Sequence, residues 1–140
     1  MAYFPHIRMK ANDCPMLTFV TWSYSTSFIS ESFARKANLL GNIDSSNCRS
    51  IGGGKLLGWI DDVQVRCDEL NLQFVHRLGV MPDNHLVKFC PKKFDMLLGL
   101  DLLQGIGLGM DYGNLAITRE DKMAKWLTEE EIQNEMEDSY

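Results

Sequence analysis

Phe94-Asp95-Met96-Leu97-Leu98-Gly99-Leu100-Asp101-Leu102-Leu103 is the most apolar segment of the chain, and its reading decides the fold. A short apolar run closed by a glycine predicts a strand over Phe94 to Leu98, broken at Gly99. A helical turn is expected from Asp101, placed as its N-cap, where a carboxylate accepts backbone N–H groups. Just downstream, Met110 to Ile117 reads as a hairpin with Gly113-Asn114 near its turn.

Upstream, Leu72-Gln73-Phe74-Val75-His76 and Leu78-Gly79-Val80 supply short strands. Leu56 to Ile60 and Val63 to Cys67 suggest a long bent hairpin arm, entered through the glycine-rich turn Ile51-Gly52-Gly53-Gly54-Lys55. Earlier still, Ser30 is a fair N-cap for a helix from Glu31 to about Leu40, with Phe33, Ala37 and Leu40 at helical spacing and Gly41 as the stop. Met16 to Val20 reads as a buried strand, followed by Thr21 to Ser27, a polar stretch dotted with aromatics. Many short strands with one or two brief helices make a mainly β domain.

The chain has 140 residues, 45% of them apolar and 24% charged, enough for one compact domain with a real core. Its net charge of −5 is unevenly spread. Residues 1–119 carry 12 Lys/Arg against 11 Asp/Glu, whereas residues 120–140 carry 2 against 8. The domain over 1–122 is therefore nearly neutral, and the acidity belongs to a helical tail over 123–140. A neutral body gives no electrostatic reason to expect nucleic acid. No apolar run approaches the ~20 residues of a membrane span, and no secretory leader is evident, so a cytoplasmic or nuclear protein is expected.

The four cysteines, Cys14, Cys48, Cys67 and Cys90, form no CxxC pair. His76 and His85 could join Cys67 or Cys90 around a metal, but the closely spaced ligand pair of such sites is missing, and neither metal nor cofactor is expected. Gly52-Gly53-Gly54-Lys55 lacks the Ser/Thr and helix of a phosphate loop. Gly105-Ile106-Gly107-Leu108-Gly109 has Met110 where a dinucleotide fingerprint ends in glycine. Trp22, Tyr24 and Phe28 could stack bases, but no Lys or Arg is interleaved with them.

In the tail, Thr128-Glu129-Glu130-Glu131 is a capping box, and Leu127 with Ile132 a hydrophobic staple. Ile132 and Met136 share one face of a helix over about 129–137, too short to persist alone in water. That face, with Leu127, must dock on its own domain or on a partner protein.

Four segments in order resemble a retropepsin-like aspartic protease domain, most nearly that of the DNA-damage-inducible ubiquitin-shuttle proteins. The 94–103 segment is similar to the "DMLLGLDML" stretch of that group, and Met110-Asp111 to its next strand. Gly52 to Ile60 is similar to the flap hairpin, so Ile51, Gly52, Gly53, Gly54, Lys55, Leu56 and Leu57 are candidates for flap and groove. Phe19-Val20 and Ser27-Phe28-Ile29-Ser30 match the frame of the catalytic loop. The resemblance covers about residues 5–118 and implies a closed β-barrel with one or two short helices, to which the C-terminal helix is added.

The departure falls on the chemistry. Active members carry Asp-Ser/Thr-Gly where this chain reads Thr21-Trp22-Ser23. In the family, two subunits each supply one Asp, and the pair shares a proton and activates a water. A threonine hydroxyl has no accessible ionisation near neutral pH and cannot act as that base. Asp13, Asp61, Asp62, Asp95 and Asp101 are not expected at the dimer axis. The resemblance thus implies a protease fold without catalytic residues, a self-associating interaction module with Thr21, Trp22 and Tyr24 at the dimer seam. The alternatives are an active aspartic-type peptidase using a non-standard residue and a monomeric adaptor that binds a peptide.

Overall fold

The computed structural model describes residues 2–46 and 48–138, with side chains as far as Glu135. The first strands are β1 (Tyr3–Phe4), β2 (His6–Ala11), β3 (Cys14–Val20) and β4 (Phe28–Ser30), followed by helix α1 (Glu31–Lys36). A small hairpin, β5 (Ser50–Ile51) and β6 (Gly54–Lys55), precedes the long strands β7 (Gly58–Cys67) and β8 (Leu72–Met81). Then come β9 (Met96–Leu98), α2 (Leu100–Leu103), β10 (Gly109–Asp111), β11 (Ala116–Arg119), β12 (Lys122–Lys125), β13 (Leu127–Thr128) and α3 (Glu129–Asp138).

Strands close into a barrel in the order β2-β3-β9-β4-β8-β7. The apolar 94–103 segment lies at its centre. Met96, Leu97 and Leu98 are fully buried because β9 is flanked on both sides, parallel to β3 and antiparallel to β4. The strand is shorter than expected. Asp95, just before it, still bonds both flanking strands: its N–H donates to the Leu17 carbonyl at 2.7 Å, its carbonyl accepts the Ser30 N–H at 2.8 Å, and its carboxylate accepts the Leu17 N–H at 2.8 Å. Burial pushes the Asp95 carboxyl above the usual range, opposed by its hydrogen bond from Leu17 and by Lys93 and Lys36.

Asp101 is not the N-cap. Gly99 occupies that position without a side-chain cap, and Asp101 sits one residue inside α2. Its carboxylate reaches across the barrel end, taking the Ser27 hydroxyl at 2.6 Å and the Ser27 N–H at 3.0 Å. A long-range pair thus claims the carboxylate that a local cap would have used.

The strands expected over 72–76 and 78–80 are one continuous β8, paired with β7 over most of its length. Asp62 at φ 57° forms the bulge that bends this arm between Ile60 and Val63. Helix α1 is capped as expected by Ser30, whose Oγ accepts the Phe33 N–H at 3.0 Å. It stops at Lys36, short of Leu40, because Asn38 takes the left-handed conformation that Gly41 was expected to supply.

The tail docks on its own domain. β13 pairs with β1, and Leu127 and Ile132 are buried in a cluster with Leu17 and Phe4. Thr128 and Glu131 close the capping box in both directions at 3.1 Å. Arg8 holds Glu131 and Glu135, and Lys92 holds Glu129. Leu127 and Ile132 are therefore not a free partner-binding face, and the side chain of Met136 lies outside the described residues. The boundary expected after residue 122 falls within β12, whose Ala124 is fully buried in the main core beside Trp126.

Candidate functional site

The loop after β3 begins at Thr21, whose N–H donates to the Leu98 carbonyl at 3.1 Å. Thr21 is 8% exposed, and its Oγ1 accepts the Ser23 N–H at 3.1 Å. Among the described residues, no Asp, Glu, His or Lys bonds to that hydroxyl. The turn directs Trp22 outward, where it is 36% exposed.

The same loop then crosses the junction of β9 and α2. The Leu100 N–H donates to the Tyr24 carbonyl at 2.9 Å and the Asp101 N–H to that of Ser25 at 3.2 Å. A Cβ at Gly99 would lie 2.8 Å from the Tyr24 carbonyl oxygen, so this crossing requires glycine. Ser27 locks it, accepting the Gly99 N–H at 2.8 Å while its own hydroxyl goes to Asp101.

Opposite stands the hairpin expected from the resemblance to be the flap. β5 and β6 are joined by Gly52 and Gly53, both at positive φ (54° and 88°), as a tight two-residue hairpin turn requires. Phe89 packs edge-on to both Tyr24 and Phe28, with ring centroids 4.9 Å apart in each pair. Tyr24 and Phe89 close so tightly on Gly52 that a Cβ there would meet each ring at 2.9 Å. Lys88 donates to the Gly53 carbonyl at 2.9 Å, and the Lys55 N–H donates to His85 Nδ1 at 3.2 Å. Leu56 is buried beneath the hairpin, and Leu57 is partly exposed.

Between loop and flap lies a cleft of about 410 Å³, lined by Tyr24, Thr26, Arg49, Ile51 and Leu100 among others. Its lining includes Ser23, Ser25 and Ser50 but no carboxylate. Arg49 and Phe89 were not anticipated as parts of this site. Phe28 is fully buried, which removes it from any base-stacking platform, and Tyr24 faces the flap of its own chain.

The carboxylates considered as substitutes for a catalytic aspartate are engaged elsewhere or lie apart. Asp13 is in the β2–β3 turn beside Arg66 at 3.5 Å, and Asp61 pairs with Arg77 at 3.4 Å. Asp62 is at the arm's bulge, and Asp95 and Asp101 hold Leu17 and Ser27. Among the described residues, no three His, Cys, Asp or Glu side chains gather to hold a metal, and no helix is long and apolar enough to cross a membrane.

No family model matches the sequence. Over 102 residues it is 32% identical to DNA damage-inducible protein 1 of Candida glabrata, an alignment covering 71% of this chain. The aligned part is 21% of that protein, so the chain spans about a fifth of the relative it matches. In structure it is similar to the retroviral protease-like domain of Ddi1 from Leishmania major, with a TM-score of 0.72 at 17% identity, covering 92% of this chain and 98% of that one. The EIAV protease complexed with the inhibitor HBY-793 aligns at a TM-score of 0.56 and 16% identity, covering 79% and 95%. A retropepsin-like aspartic protease from Rickettsia conorii aligns at 0.50 and 16%, covering 76% and 74%.

Proposed function

The chain is a retropepsin-like domain of the aspartic protease fold family, and from that premise we propose that it is a catalytically inactive member, acting as a homodimerising protein-interaction scaffold. The observation that carries this reading is Thr21. The loop that should supply a carboxylate supplies a hydroxyl, buried and bonded to the next turn of its own backbone. Activating water needs a group that accepts a proton near the working pH, and a threonine has none.

The dimer rests on the half-cleft. One chain provides one loop and one flap, and a second copy would complete the groove. Trp22, large and exposed at the tip of the loop, is the natural anchor of such a seam. Thr21 would lie behind it. Tyr24, bound to the flap from below, would support the seam rather than fill it. The acidic helix α3 would ride on each copy as part of the domain. A cytoplasmic or nuclear setting suits an interaction module of this kind.

Light scattering coupled to size exclusion, over a dilution series, tests the proposal. A mass of twice the chain that falls to one on dilution is expected. A monomer at every concentration would favour the adaptor, in which one groove binds one peptide.

A further inference from the structure

Among the described residues that line the cleft between loop and flap, one side chain is charged. Arg49 lines the cleft, and no Asp or Glu does. Its guanidinium is exposed yet positioned: Nη2 donates to Thr26 Oγ1 at 2.8 Å, and the guanidinium carbon lies 5.4 Å from the centre of the Trp59 ring. Those contacts use one N–H and one face. The other donors of the five-donor fork have no acceptor among the described residues.

Arg77 provides the comparison. It stacks on the same Trp59 at 5.3 Å, but it is ion-paired to Asp44 at 3.5 Å and Asp61 at 3.4 Å. No described acid pairs with Arg49. The acid on the helix beneath the loop, Asp101, is held by Ser27. Beside it on the same hairpin, outside the cleft lining, Lys55 is exposed in register with Ser50, and Lys88 is fixed at the hairpin tip through the Gly53 carbonyl. The field in and around the cleft is therefore positive, although the body as a whole is nearly neutral.

We infer that this cleft binds an extended peptide through an anionic side chain, with Arg49 as the anchor. A guanidinium held by Thr26 and Trp59 has little freedom to lose and presents a planar fork suited to two oxygens of a carboxylate or phosphoryl group. Tyr24, Ile51 and Leu100 give apolar surface on either side for the residues flanking the anion. The inference rests on the reading that the groove keeps peptide binding without cleavage.

Fluorescein-labelled degenerate peptide pools, each with one fixed position (Glu, phosphoserine, Gln or Lys), are titrated with the intact chain and read by anisotropy. The Glu and phosphoserine pools should bind at least about tenfold more tightly than the Gln pool, a difference of about 1.4 kcal/mol, and the Lys pool most weakly. Arg49→Gln should abolish the preference of Glu over Gln, and Arg49→Lys should retain part of it. Because Arg49 is exposed, thermal melts should show both variants folded as the parent is. Equal binding of the Glu and Gln pools, a preference that survives in Arg49→Gln, or no saturable binding by any pool would overturn the anchor. Mass spectrometry of the same samples separates the two ideas: cleaved peptide overturns the inactive reading whichever pool binds best.

Discussion

Tyr24 meets Phe89 edge-on, ring centroids 4.9 Å apart, directly against the backbone of Gly52 at the turn of the flap. The loop at the position of catalysis and the flap above it are thereby one packed unit within a single chain. Tyr24→Ala removes an aromatic pair worth about 1 kcal/mol beyond its buried area. It should accelerate amide exchange across residues 50–55 while leaving β7 and β8 protected. Unchanged exchange in the flap would show that Tyr24 does not hold it.

Gly52 gives a sharper test of the same contact. Its φ of 54° disfavours any L side chain, and a Cβ would press on Tyr24 and Phe89 at 2.9 Å. Gly52→Ala should cost about 1–3 kcal/mol in urea unfolding. Gly53→Ala, whose added carbon would meet the Lys88 side chain at an ordinary 3.7 Å, should pay only for its backbone conformation and cost less.

His6 sets a pH dependence. It is fully buried, its Nε2 donates to the Lys93 carbonyl at 3.1 Å, and its Nδ1 has no partner among the described residues. Desolvation lowers its pKa from 6.5 to about 4. Above pH 6.5 the ring is neutral whether folded or unfolded, and the native state keeps its full stability. Between 6.5 and about 4 the unfolded chain takes up a proton that the folded chain refuses, so stability falls as the pH falls, by about 3 kcal/mol across the window. Asp95, shifted upward, acts in the opposite sense, so the measurement is the difference between the parent and His6→Gln. That difference should slope through this window and flatten above it.

The docked tail predicts a stability role for its cap and for its apolar face, which the sequence left to dock on its own domain or on a partner. Ile132 is 2% exposed, and Ile132→Ala should cost about 3 kcal/mol. Thr128→Ala, which breaks the capping box, should cost about 1 kcal/mol. Chemical denaturation midpoints measure both. If neither variant shifts the midpoint, α3 does not contribute to the fold.

At the proposed seam, Trp22→Ala should weaken dimerisation by more than about 1 kcal/mol, the loss of an interface anchor. Sedimentation equilibrium of the parent and the variant decides it. A dimer of equal strength would remove Trp22 from the interface.

What was legible in the sequence was what neighbouring residues decide. The hairpin around Gly113 and the Thr128–Glu131 box depend on contacts a few residues apart, and the apolar run of β9 with its closing Gly99 is printed in the chain. β2 was missed although its signal is local: Ile7, Met9 and Ala11 alternate with Arg8 and Lys10, the period-two pattern of a half-buried strand that β3 and β7 flank. Asp101 was misread because its partner, Ser27, lies 74 positions away. Arg49 carried no local signal at all. Its place in the cleft comes from Thr26 and Trp59, brought together when the flap folds over the loop. Whether Leu127 and Ile132 face a partner or their own barrel likewise depends on β1, at the far end of the chain.

The proposal that the chain is catalytically inactive is tested most directly by incubating the repurified chain with a degenerate peptide library from about pH 4 to about pH 7, the range in which carboxylate dyads work, and following the products by mass spectrometry. A domain with Thr21 in place of the aspartate should leave every peptide intact. Cleavage that survives repurification and is blocked by a transition-state inhibitor would contradict it.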